Sequence, residues 1–163
     1  MIPDTNTEEV ANARSAADAA KAQVESAKAA VAEASAELAT VQGEHETLQS
    51  QLDDLVNRAA QAEAERNAKL EEAAKQKDAG GQRGLLKQAQ EKEDELTQLE
   101  AEIEAKKREL AASEERVKAA EAKRGAKAKE VKASSKEYKR ASADLEKAKK
   151  TAKKDNSASK ELK

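Results

Sequence analysis

Gly80-Gly81-Gln82-Arg83-Gly84 stands almost at the midpoint of a 163-residue chain, and the sequence on either side of it has the periodicity of helix. A glycine costs a helix interior about 1 kcal/mol relative to alanine, and glycine readily accepts the positive φ that ends one helix and opens a turn. The stretch therefore reads as the tip of a hairpin, with residues 7–79 as helix one, 80–84 as the turn and 85–154 as helix two. Gly80, Gly81 and Gly84 are the turn residues in this reading, and Gly80 is the left-handed stop of helix one. Residues 1–6 are expected to form an N-terminal cap, with Pro3 blocking helix upstream and Thr5-Asn6-Thr7-Glu8 fitting a capping box. Beyond Lys154 the expectation is a fraying helix and a disordered basic tail over 155–163.

The composition agrees with helix and argues against a globular core. Charged residues make up 39% of the chain and aromatic residues 1%, with one proline and no Cys, Phe or Trp. Of 61 hydrophobic residues, 38 are alanine, so most of the apolar class contributes little burial energy. Such a chain must fold through helix propensity and a narrow apolar seam. Without cysteine there is neither a disulfide framework nor a thiolate site, and the compartment cannot be read from redox chemistry. No apolar run approaches the ~18 residues of a membrane span, and the first residues have no signal-peptide pattern.

The seam can be written out residue by residue. In helix one, apolar side chains recur with alternating steps of three and four: Val10, Ala13, Ala17, Ala20, Val24, Ala27, Val31, Ala34, Leu38, Val41, His45, Leu48, Leu52, Leu55, Ala59, Ala62. Fifteen of these sixteen are apolar, the mark of a coiled coil. Continuing the frame gives Arg66 and Lys69, whereas the apolar residues are Leu70 and Ala73, so a stutter is expected between Glu63 and Asn67. In helix two one core series steps by seven through Ala89, Leu96, Ile103, Leu110, Val117, Arg124, Val131, Tyr138, Leu145 and Ala152. Only Arg124 interrupts it. The companion series, from Leu85 through Lys92, Leu99, Lys106 and Ser113 to Ala148, is half polar, and lysine stems are expected to lie along it.

Charge sets the orientation of the two halves. Residues 1–57 hold 3 basic and 11 acidic groups, net −8, whereas 106–163 hold 20 basic and 10 acidic, net +10. A fold back at Gln82 sets these fields against each other, while an in-register parallel dimer would set like against like. The fold class that follows is all-α, a long antiparallel two-helix coiled-coil hairpin whose natural further association is a four-helix bundle. Each arm of near 70 residues would be about 105 Å long. In this register residue i faces roughly residue 163 minus i, which brings Leu48, Leu52 and Leu55 toward Val117 and Leu110.

The candidate site residues are few. His45, the one histidine, takes a seam position where a polar group fixes register, and no second His or Cys completes a metal site around it. Arg124 is the matching polar residue of helix two, expected near Leu38 and Val41 and within reach of Glu37. Gly43 and Gly125 fall opposite each other on outward faces, where each reads as an exposed glycine that costs its helix about 1 kcal/mol, the alternatives being a weak point where the arms bend or a docking notch for another chain. The basic segment Lys118 to Lys154, with Lys147, Lys149, Lys150, Lys153 and Lys154 at its end, is the surface for an anionic partner, or else a solvated face neutralised by helix one. Missing aromatic platforms argue against nucleic acid, and the mostly alanine stripe argues against membrane insertion. The glycine stretch lacks the strand and the Lys-Ser/Thr ending of a phosphate loop. Carboxylates fall in helix-supporting pairs, Glu65 with Lys69, Glu71 with Lys75, Glu102 with Lys106 and Glu114 with Lys118.

The expectation is thus of a protein without catalytic, cofactor-binding or metal residues and without a small-molecule substrate. It would act as a rod, spacer or scaffold that presents its ends to protein partners, with self-association among its options. The alternatives are an adaptor that takes nucleic acid, an acidic protein or a membrane surface through its basic second helix, and an arm of a larger machine. Bacterial envelope rods, bacteriophage scaffolds and unrelated spacers share this composition, which singles out no family.

Overall fold

The computed structural model describes residues 3–161, with side chains from 7 to 154. Two helices, α1 (Pro3–Lys75) and α2 (Ala79–Glu161), pack against each other as an all-α helical hairpin, and the described residues contain no strand. Helix α1 opens at Pro3, earlier than the expected start at residue 7. Proline suits a first helical position, because its fixed φ is helical and the N–H it lacks would have no partner there. Helix α2 runs past Lys154 to Glu161, so the tail expected over 155–163 is helical backbone through 161. No Gly or Pro follows Lys154 to stop it. Residues 1–2 and 162–163 of the expected cap and tail lie outside the described residues.

The turn is three residues long, Gln76-Lys77-Asp78, and lies upstream of the glycines. Gly80, Gly81 and Gly84 are in the first turns of α2, and none of the described glycines has positive φ. Asp78 decides the boundary. Its carboxylate accepts a hydrogen bond from the Gly81 amide at 3.1 Å, and its carbonyl accepts the first helical bond, from the Gln82 amide at 2.9 Å. This is N-cap geometry, worth about 1 kcal/mol, and it draws the helix start to Ala79. At the other end of the turn, the Gln76 amide donates to the Ala73 carbonyl at 3.3 Å. The Gln82 side-chain amide donates to the same carbonyl, also at 3.3 Å, so both helix ends are tied by local bonds without a left-handed residue.

The chain forms two compact units: a terminal unit of residues up to Leu38 and from Ala120 onward, and a turn unit, Ala39–Ala119. In the turn unit, Leu55, Ala59, Ala62, Leu96 and Leu99 form the buried cluster, with Ile103 packed on it. In the terminal unit the buried apolar residues are Ala17, Ala20, Ala27, Ala34, Leu38 and Ala120. All sixteen seam positions of α1 are buried or half-buried.

No stutter occurs after Ala62. Arg66 and Lys69 take the next seam positions, half-buried, and Ala73 follows at 2% exposure, while Leu70 is left 43% exposed. Ala73 belongs to both candidate frames, so its presence does not choose between them. The uninterrupted frame wins because the Arg66 and Lys69 stems can lie in the seam while their heads reach carboxylates.

Register follows from the pairs that cross the hairpin. In the turn unit Lys92 Nζ is 2.7 Å from Glu65, Lys106 donates to Gln51 at 3.1 Å, His45 meets Ser113 at 3.2 Å and Arg116 is 3.9 Å from Glu44. In the terminal unit Lys123 is 3.0 Å from Glu37. Partner numbers therefore add to 157–160, not the expected 163, because the turn is shorter and lies upstream. Leu55 accordingly shares its core with Leu96 and Leu99, and not with Leu110.

Candidate functional site

His45 takes its expected seam position, half-buried on α1, and Ser113 of α2 lies against it. His45 Nδ1 and Ser113 Oγ are 3.2 Å apart, and Ser113, 1% exposed, is the most buried polar side chain described. A hydroxyl can donate to or accept from either imidazole tautomer, so the pair satisfies itself whichever nitrogen carries the proton. Sequence reasoning found the histidine and missed its partner. The signal was present, since Ser113 belongs to the companion series and its number complements 45 in the observed register.

Toward the turn, two ion pairs bridge the helices. Arg66 donates to Glu93, and Lys92 lies 2.7 Å from Glu65 and 3.3 Å from Glu95. The Lys92 hydrogen bond holds the Glu65 carboxyl below the usual carboxylate range, with a further bond from Gln61 in the same sense. Bonds to Glu65 and Glu95 push the Lys92 ammonium up, and the bond to Glu93 pushes the Arg66 guanidinium up. Each shift favours the charged form, which suits a structural ion pair more than an acid or base poised for proton transfer. Of the four pairs expected along single helices, Glu114 with Lys118 is formed, at 4.0 Å. Glu65 pairs across the hairpin, and Lys106 turns to Glu109 and Gln51.

Arg124 is not in the seam. It is exposed, and the basic group that reaches Glu37 is its neighbour Lys123. Buried Ala120 and half-buried Lys127 continue the seam past it, so the guanidinium extends into water, where its hydration is kept. Gly43 and Gly125 are helical and exposed, with open space where a Cβ would stand.

Lys147, Lys149, Lys150, Lys153 and Lys154 are exposed on α2. They lie at least seven residues before its last residue, so they do not serve the helix dipole at its end. Of these five, Lys149 is paired, with Glu146 at 3.8 Å.

Beside the turn, Leu70 and Leu86 are 43% and 46% exposed and line one shallow groove with Ala89 and the paired Arg66 and Glu93 side chains. A second open groove, along the turn unit, is walled by Ser50, Asp54, Arg58, Glu102 and Lys106. Among the described residues no group of three or more His, Asp or Glu side chains is placed to hold a metal ion, and no helix is long and apolar enough to cross a membrane. Comparison of the chain with protein-family models, curated proteins and solved structures finds no match.

Proposed function

We propose that this is a non-enzymatic structural or assembly protein, a helical spacer or scaffold whose turn end engages a protein partner. One observation carries the reading: Leu70 and Leu86 stand exposed beside the turn, where an apolar side chain of another protein would cover them. Keeping two leucines in water has an unfavourable cost that neither the turn nor the seam requires, and contact with a partner would offset it. The Arg66–Glu93 ion pair, whose side chains line the same groove, would supply part of a polar rim for such a contact.

A photo-crosslinking residue at position 70 or 86, introduced in the native cells, should yield a discrete protein adduct. Leu70→Glu with Leu86→Glu, probed from an adjacent exposed site such as Gln90, should abolish that adduct without lowering helix content. Adduct formation that is equally strong from an exposed control site such as Ser50, or absent at the turn end, sinks the proposal.

A second reading, an adaptor for an anionic partner, rests on a different observation. Among the described residues, the cations of α2 in the terminal unit are mostly without carboxylate partners.

A further inference from the structure

We infer that the outward face of α2 between Lys129 and Lys154 is an adsorption surface for an anionic lipid bilayer, an inference that deepens the adaptor reading and rests on it. Lys129, Lys132, Lys136 and Lys139 recur at steps of three and four, and Lys147 and Lys150 continue the row after a gap at Ala143. That spacing keeps them on one face of a helix. All six are exposed, and so are the three further cations beside them, Arg140, Lys153 and Lys154. Among the described residues none of these nine has a carboxylate within ion-pair distance. The half-buried seam residues Val131, Tyr138 and Leu145 occupy the other side of the helix. Glu146 is the carboxylate that falls within the row, and Lys149 already engages it.

Helix α1 does not neutralise this face. Residues 129–154 hold 10 basic and 4 acidic groups, net +6. The terminal unit's register, given by Glu37 with Lys123, sets residues 6–31 of α1 opposite them, and those hold 3 basic and 4 acidic groups, net −1. The −8 of residues 1–57 as a whole is therefore not delivered where the cations are.

The form of the row selects the partner. From Lys129 to Lys154 it extends about 38 Å along one helix, and a surface of anionic headgroups can meet many of its cations at once. The phosphates of a nucleic-acid duplex wind around its axis, so a row along one helix would touch them only where a strand crosses. Single strands need aromatic stacking, and the row has no aromatic residue. A membrane contact of this kind needs no insertion, since each Lys or Arg near an anionic surface strengthens binding about fivefold. The apolar seam stays between α1 and α2.

The test is co-sedimentation of the full chain with phosphatidylcholine vesicles, with and without phosphatidylserine. Binding is expected to the phosphatidylserine vesicles at low salt, to fall steeply as salt is raised, and to be absent with phosphatidylcholine alone. Lys132→Glu, Lys136→Glu, Lys139→Glu and Lys150→Glu together should reduce it more than a hundredfold, at about fivefold or more for each cation. The same change of charge in the turn unit, Lys87→Glu, Lys107→Glu, Arg108→Glu and Lys118→Glu, should reduce it far less. Circular dichroism checks that both variants are helical, and the four Lys→Gln changes replace the first if it is not. Equal binding to neutral vesicles, or an equal loss in the two variants, overturns the inference. So does displacement from the vesicles by a short DNA duplex, which would assign the row to nucleic acid. If wild-type protein ignores the vesicles but binds heparin, the lipid inference fails and the adaptor reading stands; if it binds neither, both fail.

Discussion

In the turn unit the seam buries four leucines, Leu52, Leu55, Leu96 and Leu99, while the terminal unit buries one, Leu38 at its border, and otherwise Ala17, Ala20, Ala27, Ala34 and Ala120. Both sets are buried to a similar fraction, yet a buried leucine contributes about 1.5–3 kcal/mol and an alanine methyl much less. Polar links differ in the same direction. Arg66 with Glu93, Lys92 with Glu65, Arg116 with Glu44 and His45 with Ser113 all cross the turn unit, against Lys123 with Glu37 in the terminal unit. Equal burial fractions therefore conceal unequal stability. What differs is the amount of surface buried, and with it the free energy that opposes local opening.

The largest expected effect breaks this contrast at its centre. Leu55→Ala should cost about 2–5 kcal/mol, toward the lower end because an open groove borders the site and allows collapse. Ala27→Gly, at an equivalent layer of the terminal unit, should cost about 1 kcal/mol through backbone entropy. Urea unfolding compares the two, and hydrogen exchange locates them. Amides of residues 10–30 and 130–152 should exchange fastest, and those near Leu48 to Leu55 and Leu96 to Leu110 slowest. Equal losses, or uniform protection, would mean that the terminal unit is covered by another chain.

The glycines sharpen the comparison next. Gly84 in the turn unit and Gly125 in the terminal unit are helical, with open space where an added methyl would stand, so each Gly→Ala should stabilise by about 1 kcal/mol. Gly125→Ala should slow exchange in the terminal unit, and Gly84→Ala only in the turn unit. Gly81→Ala differs, since its Cβ would come within 2.9 Å of the Gln76 side chain, which must move. Asp78→Ala removes the N-cap and should cost about 1 kcal/mol. If instead Gly84→Ala destabilises while Asp78→Ala is silent, the cap does not set the helix boundary.

Those two residues also show how far the sequence can be read. The hairpin, its antiparallel sense and the sixteen seam positions of α1 follow from heptad spacing and charge, which are properties of the whole chain and survive local error. The turn lies upstream of its expected place because three glycines suggest a stop more loudly than one aspartate suggests a start, although the N-cap bond is the stronger local preference. The expected stutter is absent for a related reason. Apolarity favours Leu70 over Lys69, but a lysine stem packs in a narrow seam nearly as well as an aliphatic side chain while its head stays in water. The exposed pair of leucines near the turn is hidden behind that same error, since only the observed frame leaves Leu70 outside.

A smaller effect concerns the polar layer. In a double-mutant cycle of His45→Ala and Ser113→Ala, the coupling should be about 1 kcal/mol, the usual worth of one hydrogen bond. The register role proposed for His45 requires more. His45→Leu with Ser113→Ala should raise thermal stability while broadening the distribution of cross-links between α1 and α2, because an apolar layer no longer penalises a slipped pairing. A more stable protein with unchanged cross-links would leave the pair a packing detail.

The smallest expected effect is that of pH on the pair between Glu65 and Lys92, where the side chains are about two-fifths exposed and salt screens the attraction. Glu65 is held below the usual carboxylate range by its bond to Lys92, so the stability it contributes is fully present above its unfolded value. That contribution is lost as pH falls through the lowered folded value. Lys92 has the opposite sign: its folded value is raised, so its contribution is present below the unfolded lysine value and is lost as pH rises through the raised one. Between these limits the pair should add a constant increment. Urea midpoints of wild type and Glu65→Gln should therefore differ by a small, fixed amount near neutral pH, converge in acid below the Glu65 range, and converge again in strong base. Raising the salt concentration should shrink the difference throughout. A difference that persists unchanged into acid would mean that the glutamate stabilises α1 by packing its stem and not through its charge.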